Sequence, residues 1–113
     1  CHSFPAQPLP YENDLNRPDI CIGTDSYHTS TELKDCLLKV FEAFGYRVAI
    51  DSPFSGTIVP LKHYHKDKSV ASVMIEVNRS LYADPSGFKR VQSDLTHAIL
   101  QAATIRPNHI LGE

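Results

Sequence analysis

No apolar run in the chain approaches the ~20 residues that a membrane-spanning helix needs, and no charged segment leads into an apolar one in the manner of a signal peptide. Neither a membrane partner nor secretion is expected, and the cytoplasm is the expected compartment. Charge of one sign is lacking as well. Eleven basic residues stand against thirteen acidic ones, a net charge of −2, so nothing in the balance suggests a nucleic-acid partner. The three cysteines, Cys1, Cys21 and Cys36, are odd in number and without CxxC spacing. That excludes a disulfide framework and a zinc knuckle and reads as reduced thiols, with Cys36 packing in a helix. The five glycines are widely spaced, so there is no GxGxxG or GxxxxGK[ST] phosphate loop. A GxSxG elbow and an HExxH helix are also missing. Nucleophilic serine or cysteine catalysis therefore has no local support.

What is there suits one domain with a modest core: 113 residues, 42% of them hydrophobic. The chain opens at Cys1 and is dense from its first residue, which reads as a single segment, 1–113, of a longer protein. Residues 5–18, "PAQPLPYENDLNRP", hold four of the eight prolines and form a loop. "DICIGT" (19–24) is a short strand ending at Gly23. "TSTE" places Thr29 and Glu32 at capping-box spacing, and Leu33, Leu37, Val40, Phe41 and Phe44 behind it share one helical face, with Gly45 as the stop. "YRVAI" (46–50) is the next strand, "DSPFSGT" (51–57) a turn, "IVPL" (58–61) a short extended piece, "KHYHKDK" (62–68) a charged loop and "VASVMIEVN" (70–78) a long central strand. A final helix carries Phe88, Val91, Leu95, Ala98, Ile99 and Ala102 on one stripe. Helices at about 29–44 and 86–103 between strands give an α/β layer structure.

Glu76 is the residue that most needs explaining, because it interrupts an apolar strand. Alternation puts Met74, Glu76 and Asn78 on one face and Val73, Ile75 and Val77 on the other. Two readings stay open: an ion pair with Arg79 at a sheet edge, or a general base near the strand's C-terminal end, where open α/β sheets bind ligands. His2 is either a solvent-exposed imidazole or a metal ligand, and one histidine is short of the three protein ligands a catalytic zinc takes. His63 and His65 would share a face in an extended loop, but Lys62, Lys66 and Lys68 around them repel a dication. That loop suits contact with an anion. His28, just before a helix N-terminus, is placed for anion contact or for a local cap. His97 packs or faces solvent.

Four stretches, "CHSF", "DICIGTDSYHTS", "GYRVAIDSPFSGTIVP" and "IEVNRSLYAD", resemble in order and spacing the N-formylglutamate amidohydrolases, a family related to the zinc carboxypeptidases. The resemblance spans residues 1–100, with "CHS" and "IEVNRSLY" its most specific parts. It implies a three-layer α/β/α fold with a mixed sheet, of which this chain is the C-terminal part. It also implies one catalytic zinc, held by an early histidine and acidic residue together with a later histidine that His2 matches. Glu76 matches the general base. Zinc would polarise the formyl carbonyl and lower the pKa of its bound water to ~7. The implied substrate is a small N-acyl amino acid, with N-formyl-L-glutamate, an intermediate of histidine degradation, the first choice. Arg79, Asn78, Ser55, Lys62 and His28 are the candidate contacts for its carboxylates, guanidinium being the better partner.

Asp51 departs from the family pattern and puts negative charge where an anionic substrate would lie. The early ligands are not in these residues, so the segment by itself is expected to hold zinc weakly and to be inactive. A partial sheet leaves an open strand edge and bare apolar surface, which favours self-association. Two other functions compete: a carboxypeptidase-like hydrolase of a peptide or cell-wall amide, and a metal-free binding module that kept the fold and lost the site.

Overall fold

The structure is a computed structural model that describes residues 1–13 and 15–107. Four strands form one mixed sheet: β1 (His2–Phe4), β2 (Ile20–Gly23), β3 (Val48–Ile50) and β4 (Met74–Asn78), in the order β1-β4-β2-β3. β1 runs parallel to β4 and β2 parallel to β3, while β2 and β4 are antiparallel. Helix α1 (Thr31–Ala43) links β2 to β3. A 3₁₀ turn (Arg79–Tyr82) leads from β4 into α2 (Pro85–Ala102). The α/β class and the mixed sheet are those expected from the sequence.

Both helices pack on one face of the sheet. Ile20 and Ile22 of β2, Ile75 and Val77 of β4, Leu37 and Phe41 of α1, and Val91 and Ala98 of α2 make a single buried cluster with Tyr46. This is the apolar face that alternation along β4 predicts. Among the described residues no helix covers the opposite face. Phe54 of the 51–57 turn meets Cys21 and Arg17 there instead, and the two helices form a single layer on the other side. β1 is the edge strand on the His2 side.

Several local expectations are corrected. The cap of α1 is Ser30, whose hydroxyl accepts from Leu33 N at 3.0 Å, not Thr29. Thr29 is drawn away: its hydroxyl donates to Ser72 O at 2.6 Å and accepts from Asp25 N at 2.9 Å. Residues 58–61 form no strand, and the central strand starts at Met74 rather than at residue 70. Tyr46 precedes β3 and is buried in the core. Phe88 and Ile99, placed on the core stripe of the last helix, are exposed by about half. Gly45 stops α1 in the left-handed region, with φ 93°. Pro85 opens α2 behind Asp84, whose carboxylate accepts from Gly87 N at 2.6 Å.

The Tyr46 hydroxyl donates to Asp94 Oδ2 at 2.6 Å while its ring meets Phe41 edge-on. Burial, and then the Asp94 carboxylate, push this hydroxyl up from 10.0 to about 12. The folded state thus keeps the proton that the unfolded chain loses near pH 10. Its stabilising contribution is complete below pH 10 and is lost as the pH rises from 10.0 towards about 12. Urea unfolding followed across that window should show falling stability in the native chain and a flatter profile in Tyr46→Phe.

Candidate active site

The register of the sheet builds the site. His2 on β1 and Cys21 on β2 are both direct cross-strand partners of Glu76 on β4, so the three side chains lie in one row on the face away from the helices. Neighbouring strands are ~4.8 Å apart, which places each flanking side chain within reach of the carboxylate. His2 is exposed on the edge strand, whereas Glu76 is only 8% exposed. Its Oε1 is buried and has no hydrogen-bond partner among the described residues. A buried carboxylate oxygen left unpaired is costly and marks a position built to meet something from outside the protein.

The lid over this row comes from the two loops. Arg17, 4% exposed, lays its guanidinium against the rings of Phe4 and Phe54, at 5.6 and 5.3 Å. It donates to Pro5 O at 3.0 Å and pairs with Glu12. The Glu12 carboxyl is held below its usual range chiefly by that guanidinium. Cys21 donates its thiol to Phe54 O at 3.2 Å, and burial pushes the thiol upward. A buried thiol held in this way suits packing. Neither Arg17 nor Cys21 stands out in the sequence: one is an arginine in a proline-rich loop, the other an isolated cysteine. Only the fold brings them over Glu76.

The other candidate residues divide. Asn78 lies one step further along the same face, buried. Its amide donates to Pro18 O at 3.1 Å and its carbonyl accepts from Ser80 N at 3.0 Å, so it ties the loop to the start of the 3₁₀ turn. Arg79 is exposed and donates to Ser3 Oγ at 3.2 Å, bracing β1 against β4. The ion pair between Glu76 and Arg79 does not form. Ser55 is exposed on the turn whose Phe54 covers the row. His28 and Lys62 lie elsewhere. The His28 ring is buried against Val70 O, near the chain's approach to β4, and exposed Lys62 belongs to the loop that His28 holds. Asp51 does not project charge freely: its carboxylate accepts from Thr24 N at 2.7 Å and Thr24 Oγ1 at 2.6 Å, clamping β3 to β2.

A metal centre is not complete here. Among the described residues no group of three or more His, Cys, Asp or Glu could hold an ion. His2 offers one imidazole beside Glu76, and Cys21 is engaged as a thiol, so these residues do not fit a self-contained zinc site. No helix among the described residues is long and apolar enough to cross a membrane.

The fold is thus a mixed, open α/β sheet that sets Glu76, Cys21 and the edge-strand His2 in one cross-strand row. The sequence matches the family model of N-formylglutamate amidohydrolase over residues 1–83, and the chain belongs to that family. It is similar in structure to the N-formylglutamate amidohydrolase of Ralstonia eutropha, with a TM-score of 0.71 and 24% identity. A gene product from Agrobacterium tumefaciens is also similar, with a TM-score of 0.62 and 19% identity. The alignments cover 91% of this chain in both cases, but 41% and 40% of those chains. The chain thus spans about two fifths of the length of the structures it matches. No curated protein sequence matches it.

Proposed function

We propose that the chain forms the general-base half of an amidohydrolase that cleaves the amide of a small N-acyl amino acid, with N-formyl-L-glutamate the best-fitting substrate. The observation that carries this reading is the buried, unpartnered Oε1 of Glu76 in register with His2. Family membership supplies the reaction class. In the reaction, Glu76 takes a proton from water as its oxygen bonds to the formyl carbon, and returns a proton to the nitrogen as the C–N bond breaks. Formate and glutamate leave. Arg79, Asn78 and Ser55 are the candidate substrate contacts on this reading.

The cofactor of the intact protein is zinc on this reading, with His2 as this chain's one ligand and the others supplied from outside these 113 residues. Substrate contacts by Lys62 or His28 require the loop at 62–68 to reach the site in the intact protein. The test is formate release from N-formyl-L-glutamate by the full-length parent, with and without a zinc chelator. Turnover that the chelator abolishes supports both the substrate and the metal. Bound zinc without turnover keeps the hydrolase and rejects the substrate, leaving the peptide or cell-wall amide alternative. Neither zinc nor turnover would leave a binding module.

A further inference from the structure

His28 is placed outside the catalytic row and has every polar atom of its ring in use. It is 3% exposed. Nδ1 lies 2.8 Å from Val70 O, and Nε2 lies 2.9 Å from the backbone nitrogen of His65. A carbonyl oxygen only accepts and a backbone N–H only donates, so the two contacts fix the ring's state. Nδ1 must carry the hydrogen and Nε2 must be bare. A proton added at Nε2 would set N–H against N–H and break the bond that fastens the 58–69 loop.

We propose that neutral His28 is an acid-sensitive latch that holds the 58–69 loop closed and releases it when its Nε2 is protonated. The loop is set for such release. His65 sits with φ 53°, a left-handed conformation that a non-glycine residue adopts only when its surroundings impose it. The bond from its own N–H to His28 is part of that imposition. Leu61, Lys62, Lys66 and Lys68 on the loop are exposed, and the loop carries no strand or helix of its own.

Several charged or titratable groups face the latch. From its own turn come Asp25, whose carboxylate accepts from His28 N at 3.0 Å, and Tyr27, edge-on to the ring. From the loop come Tyr64, the His65 ring, Asp67, which is electrostatically coupled to His28, and Lys68, which lies over Tyr27. His63 pairs with Asp67. The His65 ring pairs with Asp25 at 2.9 Å and holds that carboxyl below its usual range. On acidification the two histidines oppose each other: charging His65 strengthens its pair with Asp25, while charging His28 destroys the part-buried bond from His65 N–H and leaves the charge on a ring that is 3% exposed. The pair is solvent-exposed on the histidine side and the His28 ring is not, so His28 decides the outcome.

The test uses the 113-residue chain. Long-range ¹H–¹⁵N spectra at neutral pH should show His28 protonated at Nδ1 only. Cleavage at Lys62, Lys66 and Lys68 by a lysine-specific protease is then compared between the native chain and His28→Gln at pH 7.5 and pH 5. Glutamine can accept from His65 N–H and does not titrate. Loop cleavage of the native chain relative to the variant should rise roughly tenfold on acidification, the shift expected from losing one hydrogen bond to the His28 ring. His65→Ala keeps the backbone N–H and removes the opposing pair, so its acid opening should persist or grow. An Nε2–H or doubly protonated His28 at neutral pH overturns the proposal. So does an unchanged cleavage ratio, or loss of acid opening in His65→Ala. If His28→Gln fails to fold, the spectra and His65→Ala decide alone.

Discussion

Glu76→Gln in the intact parent is expected to lower kcat/KM for N-formyl-L-glutamate by about 10²–10⁴-fold, the usual worth of a positioned general base. The substitution keeps the shape of the side chain and removes its ability to take a proton. Because Oε1 has no hydrogen-bond partner among the described residues, the exchange breaks no such bond at that atom, and the fold should survive it. The loss should appear in kcat, with KM little changed, since the carboxylate's work is done as the C–N bond breaks. Circular dichroism and urea unfolding of the variant check that the fold is intact. A loss below tenfold in a folded variant would return Glu76 to a structural role.

Gly23→Ala is expected to destabilise the chain by about 1–3 kcal/mol, as an overpacked site does. Gly23 ends β2 and is paired with Met74. A Cβ there would stand 2.3 Å from Gly56 O and 2.5 Å from Met74 Cε. The methionine can turn aside, but Gly56 O is backbone. The turn at 51–57 must therefore move off the sheet, and it carries Phe54, which accepts the Cys21 thiol and stacks on Arg17. A lower urea midpoint together with greater solvent access to Cys21, read by thiol-reactive labelling, is the expected signature. Unchanged labelling would mean that the close approach is relieved without lifting the lid.

Much of this architecture is written locally. The stripe Leu33, Leu37 and Phe41, closed by Gly45, is enough to specify α1, because helix formation depends on spacing and on end residues only a few positions apart. Alternation along β4 likewise separates Ile75 and Val77, which meet the helices, from Glu76 and Asn78. Motifs around His2 and Glu76 point to the family. The cap of α1 is not settled locally: Thr29 and Ser30 are both good caps, and Ser72, 43 residues away, makes the choice by taking the Thr29 hydroxyl.

The sequence by itself determined the α/β class, both helices and the two-faced strand. Tertiary structure alone decided that His2, Glu76 and Cys21 form one row, since cross-strand register joins Glu76 to residues 55 and 74 positions away and leaves no mark on either segment. It also decided that Oε1 of Glu76 is buried with no hydrogen-bond partner among the described residues, and that the His28 ring is bonded to Val70 O and His65 N. Burial and hydrogen-bond geometry are properties of what surrounds a side chain, and those surroundings are assembled only when the chain folds.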